Sequence, residues 1–307
     1  MPKTKSHLEG GNPAALNRDG SERPGGLRVL IFGASGLLGK YLLREWTLPD
    51  QVLGLSSRDA DIRDPEQVRR CVQSSRPDWI VLAAAYTDVD GCETNPQLAM
   101  DTNFRGALNV ATAARENRCR LLFISSDYVF DGTKSTPYEV DDPVNPQSVY
   151  GHSKAEAERG ITDILPDRCI VRTSWVFGTG GKCFPDTILK LAATRELINV
   201  VDDQRGCPTY AHDLAKAIIH LCRNNVRGTV HATNAGDCTW FEFASEIIRR
   251  AGLHTTVLPT TTDKFPRPAK RPKYSVLSCT SLNACGIVMP DWKEALSVYL
   301  SETDTRK

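Results

Sequence analysis

The stretch LRVLIFGASGLLG, residues 27–39, gives the strongest indication of the fold of this chain. Its first half is an unbroken apolar run, which is typical of a strand buried in a parallel sheet. Three glycines then follow at intervals of three residues, before a helical pattern begins. A glycine-rich turn between a strand and a helix N-terminus is suited to binding the pyrophosphate of a dinucleotide. This turn therefore predicts cofactor contacts from Gly33, Ser35, Gly36, Leu37, Leu38 and Gly39.

The alternation of apolar strand and helix continues downstream and predicts an α/β fold with a Rossmann-type doubly wound parallel sheet. Strands are predicted at 27–33, 51–57, 78–85, 120–127 and 168–178. Helices are predicted at 36–47, after Asp64, and at 96–117, 149–164, 184–194, 211–224, 239–251 and 291–301, with a proline-rich loop at 259–274. We expect three parts: a disordered tail (1–26), a NAD(P)-binding Rossmann domain (27–178 plus returning segments) and a smaller, mainly substrate-binding α/β lobe (179–301).

Composition excludes several functional classes. The 307 residues include 38 basic and 37 acidic side chains, a net charge of +1, so nothing indicates a nucleic acid or membrane partner. The ten cysteines form no C-x-x-C pair and indicate buried thiols in a reducing compartment, and no metal site is predicted. The polar N-terminal tail has no apolar core of a secretory signal, and its acidic residues oppose a transit peptide, so we expect a cytoplasmic protein.

The end of the second strand bears on which dinucleotide is bound. An acidic residue there would bind the ribose 2′-hydroxyl of NAD, whereas this strand ends in Ser56, Ser57 and Arg58, which suit a 2′-phosphate. NADPH is therefore the predicted cofactor and NADH the alternative. The alternative for Arg58 is an ordinary solvated charge. Asp61 and Ile62 are predicted to lie beside the adenine ring.

A second motif predicts the chemistry. Tyr150 and Lys154 are four residues apart in a predicted helix, so both side chains leave the same face. A lysine beside a tyrosine lowers the phenol pKa toward neutrality, which suits proton donation to a carbonyl during hydride transfer. Ser125 and Ser126 end the fourth strand, at the edge where open α/β sheets bind ligands, and supply a hydroxyl for the carbonyl oxygen.

The chain resembles the extended short-chain dehydrogenase/reductases and, more closely, the dTDP-4-dehydrorhamnose reductase family, over residues 27–301. The stretches that carry this resemblance are FGASGLLG, DWIVLAAAYTDVDGCE, ISSDYVFDG, VYGHSKAEAE, VRTSWVFG, DDQRGCPTYAHDLA, RPAKRP and MPDWKEAL. It implies reduction of the C4 ketone of dTDP-6-deoxy-L-lyxo-4-hexulose by NAD(P)H, which gives dTDP-L-rhamnose.

The resemblance also implies roles for individual residues. Tyr150 would donate the proton, Lys154 would lower its pKa and bind the nicotinamide ribose, and Ser126 would hold the C4 oxygen. Ala83, Ala84, Ala85 and Asn103 would join the cofactor site. The implied substrate contacts are Asp88, Val89, Ser126, Asp127, Tyr128, Trp175 and Arg271, with Lys270 beside Arg271 near the pyrophosphate. Core packing is the alternative for Trp175, and a solvated charge is the alternative for Lys270.

Some positions depart from the family pattern. Lys182 and Cys183 stand where the family often shows asparagine before phenylalanine, and Tyr274 stands where asparagine is common. All three lie in the predicted substrate lobe. Tyr41 stands where some relatives carry a metal-binding glutamate, so we expect a monomer or weak homodimer without a metal. Three alternatives remain: a reductase of another NDP-4-keto-6-deoxysugar, a regulatory subunit like the methionine adenosyltransferase beta subunit, and an epimerase that retains NAD.

Overall fold

The computed structural model of the chain describes residues 26–304, so the predicted tail lies outside the described residues except for Gly26. Within this range the strands are β1 (Arg28–Phe32), β2 (Gln51–Leu55), β3 (Trp79–Leu82), β4 (Arg120–Ser126), β5 (Cys169–Thr173), β6 (Val176–Phe177), β7 (Leu197–Val201), β8 (Arg205–Gly206), β9 (Thr209–Tyr210), β10 (Gly228–His231), β11 (Cys238–Thr239) and β12 (Thr256–Thr260). The main sheet is parallel throughout, in the order β10-β5-β4-β3-β1-β2. Strand β10 thus returns to this sheet from the C-terminal half.

The helices of the same described range cover both faces of the main sheet. They are α1 (Leu37–Glu45), α2 (Pro65–Ser75), α3 (Val89–Thr94), α4 (Pro96–Ala99), α5 (Gly106–Glu116), α6 (Val149–Ile164), α7 (Phe184–Ala192), α8 (Ala211–Arg223), α9 (Trp240–Arg250), α10 (Thr280–Ala284) and α11 (Trp292–Asp304). None of these helices is long and apolar enough to cross a lipid bilayer.

Alternation along β1 explains why helices pack on both faces. Val29 and Ile31 point into a core shared with α1, α8 and α11, whereas Leu30 and Phe32 point into a second core with α2, α5 and α6. Successive side chains of a strand leave opposite faces, so an apolar run supplies both cores. The predicted doubly wound α/β fold is confirmed.

Local signals place the helix ends as expected in the first half of the chain. Asp64 caps α2, accepting hydrogen bonds from the backbone N–H groups of Glu66 at 2.9 Å and Gln67 at 3.1 Å. Ser148 caps α6 in the same way, with a 3.1 Å bond from the N–H of Gly151. This cap fixes the start of the helix that carries Tyr150.

Three predicted elements differ from the structure. The strand predicted at 168–178 is interrupted at Trp175, whose φ of +46° turns the chain out of the main sheet, so that β6 pairs with β9 instead. The helix predicted at 96–117 contains a π-helical turn, Met100–Arg105. The loop predicted at 259–274 begins inside β12 and contains a 3₁₀ turn, Thr262–Lys264. Helices α3 and α10 were not predicted.

Candidate active site

Two cavities meet at the glycine turn, on the edge formed by the carboxyl ends of β1, β3 and β4. The first, about 450 Å³, reaches from this turn to the end of β4 and to α6. The second, about 610 Å³, reaches from the same turn to the end of β2. Gly33, Gly36, Ala83 and Ala85 line both. The cavities therefore form one groove of the kind that an extended dinucleotide fills, with one half on either side of the turn.

Close backbone packing explains the glycines of this turn. Gly33 has a φ of +90°, and a Cβ atom there would lie 2.5 Å from the backbone nitrogen of Ala84. A Cβ atom at Gly39 would lie 2.2 Å from the carbonyl oxygen of Gly33. Gly36 is the N-cap of α1 and has no side chain to bind the first N–H groups of the helix, which are left to bind an anion. The donor set therefore fits a dinucleotide pyrophosphate.

Some of the residues predicted to contact the adenosine half of the dinucleotide line the second cavity. Ser35, Ser57, Asp61, Ile62 and Ala84 line it. Ser56 and Arg58 are not among the residues that line either cavity.

A local turn accounts for the position of Ser56. Its hydroxyl donates to the carboxylate of Asp59 at 2.6 Å and accepts from the N–H of Arg58 at 3.2 Å. Arg63, which was not predicted, lines the second cavity and pairs with Asp61 at 2.6 Å. Arg63 lies two residues after Asp61 in the same loop, and this position could have indicated that it lines the cofactor site.

The first cavity brings the predicted triad together. Ser126, Tyr150 and Lys154 all line it, together with Leu37 and Leu38 from the start of α1. Ser126 ends β4, and α6 supplies the other two side chains one turn apart. The Ser126 hydroxyl donates to the carboxylate of Asp127 at 3.0 Å and accepts from the N–H of Tyr128 at 3.2 Å. Ser125, the other predicted hydroxyl, lines this cavity as well.

Burial controls the charges of the triad. Lys154 is only 2% exposed, and its ammonium lies 4.1 Å from the centre of the Phe123 ring. Burial lowers the pKa of Lys154 to about 7, an effect that the charge of Glu158 opposes. Burial also raises the pKa of Tyr150, against a hydrogen bond with Ser126.

The expected lowering of the Tyr150 pKa by Lys154 is thus absent from the protein alone, where burial dominates. A lysine whose own pKa is near neutrality carries only part of its charge at neutral pH, so it exerts a weaker field on the phenol.

Asp127 and Tyr128 form part of the wall of the first cavity beside the predicted triad. Asp127 is 1% exposed, and burial raises its pKa to about 6, although hydrogen bonds from Ser275 and Ser126 oppose the rise. The ring of Tyr128 packs edge-on against that of Tyr150, with centres 5.7 Å apart. Both residues line the first cavity, as predicted for substrate contacts.

The far side of the first cavity is aromatic. Trp175 lines it and stacks on Trp240, with ring centres 3.4 Å apart and planes 8° from parallel. Trp175 also packs against the buried core, so this side chain both lines the cavity, as predicted for a substrate contact, and takes part in core packing, which was the alternative. Val89 lines the cavity as predicted, together with Thr87 and Lys182. Trp240 was not predicted to line the cavity. Its position at the start of α9 was the only feature of the sequence that could have indicated this.

Besides Ser56 and Arg58, three further predicted site residues line neither the first nor the second cavity. Asn103 is 1% exposed, and its amide binds the backbone of Tyr86 and, at 3.0 Å, the hydroxyl of Ser153. Asp88 caps α3 through the N–H of Gly91. Arg271 lines a separate cavity of about 540 Å³, together with Lys270.

Comparison with known proteins identifies the family. The protein-family model described as the RmlD substrate binding domain matches residues 27–305 of the chain. The dTDP-4-dehydrorhamnose reductase of Streptomyces griseus is 40% identical over 282 residues, 88% of this chain and 92% of that protein. The chain belongs to the dTDP-4-dehydrorhamnose reductase family.

The chain is also similar to two further proteins over most of their length. The spore coat polysaccharide biosynthesis protein SpsK of Bacillus subtilis (strain 168) is 41% identical over 90% of this chain and 97% of its own. The crystal structure of the dTDP-4-dehydrorhamnose reductase of Bacillus anthracis str. Ames, in complex with NADP, has a TM-score of 0.88. It is 39% identical and covers 90% of this chain and 99% of its own.

Proposed function

We propose that this protein reduces the C4 ketone of dTDP-6-deoxy-L-lyxo-4-hexulose with NADPH, giving dTDP-L-rhamnose. The observation that carries the proposal is the meeting of Ser126, Tyr150 and Lys154 at one wall of the first cavity. That cavity continues through the glycine turn into a second one of the size and lining that suit the adenosine half of a dinucleotide. Membership in the reductase family supports the same activity.

Tyr150 is the proton donor in this proposal. Its raised pKa keeps the phenol protonated at neutral pH, so the proton is in place to be delivered to the C4 oxygen. With substrate bound, Ser126 donates its single hydroxyl hydrogen to that oxygen instead of to Asp127, while its oxygen still accepts from the N–H of Tyr128. When bound, the reduced nicotinamide supplies the hydride.

Lys154 stabilises the phenolate that remains after proton transfer, and it binds the cofactor ribose. Its pKa of about 7 allows the ammonium and the amine both to be present near neutrality. The buried site excludes water, which strengthens the interaction of the ammonium with a nearby negative oxygen. The lysine therefore acts mainly when negative charge develops on Tyr150.

NADPH is the proposed cofactor and NADH the alternative. The relative from Bacillus anthracis holds NADP. Ser57 and Arg63 line the second cavity and supply a hydroxyl and a guanidinium for a 2′-phosphate. Tyr128, Val89 and Trp175 supply the sugar and nucleotide side of the first cavity.

The experiment that tests the proposal is product analysis with deuterated NADPH. The keto sugar is generated in place by the upstream dehydratase and epimerase, and the product is analysed by mass spectrometry and NMR. We expect one deuterium at C4 of dTDP-L-rhamnose. A product with another configuration would point to a reductase of a different 4-keto-6-deoxysugar. NADPH binding without any product would favour a regulatory subunit.

We also propose a cytoplasmic protein that acts as a monomer or weak homodimer. Tyr41, at the position where a metal ligand is found in some relatives, is 2% exposed and binds Thr179 at 2.9 Å. Its hydroxyl also contacts Glu302 of α11, at 3.3 Å. A dimer insensitive to chelators, or a monomer, is expected on size-exclusion chromatography, whereas dissociation of a dimer by a chelator would contradict this proposal.

A further inference from the structure

A loop of the C-terminal half, residues 262–273, crosses back to the first half of the chain, and we name it the strap. Its two ends are tied close together. At one end the hydroxyl of Thr262 donates to Asp203 at 2.6 Å, and at the other the carbonyl of Lys273 accepts from the N–H of Arg205 at 2.8 Å. The middle of the strap therefore projects as a loop from a fixed base.

One carboxylate of the first half holds the middle of the strap. Asp90, the second residue of α3, accepts five hydrogen bonds from Arg267, Ala269 and Arg271. One of these bonds comes from a backbone N–H, that of Ala269 at 3.1 Å. Both arginines therefore share a single carboxylate, which lies 177 residues or more away along the chain.

This cluster is less exposed than an ordinary surface ion pair. The side chains of Asp90 and Arg271 are 15% and 19% exposed, whereas that of Arg267 is 51% exposed. Although burial opposes ionisation, the hydrogen bonds of the two arginines hold the pKa of Asp90 well below its usual range. The carboxylate is thus charged at any working pH, and the strap remains bound to it.

The strap contact leads directly to the reacting groups. Val89, the neighbour of Asp90, lines the first cavity. Arg271 hydrogen-bonds both Asp90 and the hydroxyl of Tyr128. Although burial lowers the pKa of Arg271, these contacts together raise it. Tyr128 in turn packs edge-on against Tyr150. A continuous series of contacts therefore joins Asp90 to the proposed proton donor.

We propose that Asp90 is a positioning residue, which holds the strap against the substrate side of the first cavity and, through Arg271, sets Tyr128 against Tyr150. The inference rests on the proposed reduction of a nucleotide sugar. It explains why Arg271, expected to contact the pyrophosphate, lies outside the first cavity: its guanidinium is already bound by Asp90. Asp90 acts on the substrate side, because its neighbour Val89 lines the first cavity and neither residue lines the second.

The test compares Asp90→Asn with the wild type in sugar-dependent NADPH oxidation, NADPH affinity and trypsin cleavage of the strap. We expect kcat/KM for the sugar to fall about tenfold or more, as when a reacting group is misplaced by a distant change. The NADPH dissociation constant should stay within about twofold, because the adenosine side is untouched. Cleavage after Lys264 and Lys270 should become faster. Asp167→Asn, which breaks an exposed ion pair with Arg227, is the matched control and should change none of these.

A second variant guards against misfolding. Arg267→Gln removes two of the five hydrogen bonds from a half-exposed side chain and should give a smaller change in the same direction. Unchanged kcat/KM despite faster cleavage, or an equal loss of NADPH affinity, would overturn the inference. A wild type without sugar-dependent oxidation would refute the proposed function instead. The strap would then be tested by dTDP affinity, which Asp90→Asn should weaken and Asp167→Asn should not.

Discussion

The buried ammonium of Lys154 should destabilise the folded protein, and replacing it with methionine should reverse this. Its pKa falls from the ordinary value of 10.5 to about 7. Each unit corresponds to about 1.4 kcal/mol, so the charged form costs about 5 kcal/mol of folding free energy. Methionine fills a similar volume without a charge, so Lys154→Met should be the more stable protein at neutral pH.

The sign of the pH dependence follows from proton binding. Between about pH 7 and pH 10.5 the unfolded chain binds a proton at Lys154 that the folded chain lacks, so wild-type stability rises with pH over this window. The variant has no such rise. Its advantage should therefore be about 5 kcal/mol at pH 6.5, about 3 at pH 8 and about 1 at pH 9.5.

Urea denaturation of both proteins at these three pH values measures the difference. Lys216→Met, at an exposed position on α8, is the control and should give a small difference that does not vary with pH. An advantage of Lys154→Met that stays constant from pH 6.5 to pH 9.5 would contradict this prediction, because it would come from packing and not from the buried charge.

Three further predictions concern the groove. Ser126→Ala should lower kcat by about a hundredfold or more while NADPH still binds, because one hydroxyl on the C4 oxygen is lost; an unchanged kcat would contradict its role. Gly39→Ala should lower the free energy of unfolding, measured by urea denaturation, by about 1–3 kcal/mol or more, because its Cβ would lie 2.2 Å from the Gly33 carbonyl oxygen. A variant as stable as the wild type would disprove this contact. Trp240→Leu should lower the free energy of unfolding by about 1 kcal/mol, because the stack on Trp175 is lost. It should also change KM for the sugar but not the affinity for NADPH, and equal changes in both would contradict the place of Trp240 on the substrate side.

The sequence predicted the parts of the site that depend on short spacings. The glycine turn, the end of β4 and the Tyr150–Lys154 pair each lie within one strand, turn or helix, so local pattern places them on the correct edge of the sheet. Their meeting in one cavity follows from the parallel order of the strands, because all carboxyl ends face the same side.

The parts that the sequence did not predict depend on distant contacts or on local strain. The pairing of Arg271 with Asp90 joins residues 181 positions apart, and no spacing in the sequence indicates it. The φ of +46° at Trp175 turns a continuous apolar run out of the main sheet, although tryptophan shows no preference for that conformation. The π-helical turn at Asn103 accommodates an amide held by Tyr86 and Ser153, which tertiary structure alone brings near.

The most direct test of the proposed reduction compares NADPH oxidation by the wild type and Tyr150→Phe, followed by nicotinamide absorbance with the dTDP-4-keto sugar as substrate. NADPH affinity, measured by fluorescence, is the control for an intact groove. We expect rapid sugar-dependent oxidation by the wild type and a loss of about a hundredfold or more in Tyr150→Phe, with unchanged affinity for NADPH. Equal rates in the two proteins would contradict the assignment of Tyr150 as the proton donor.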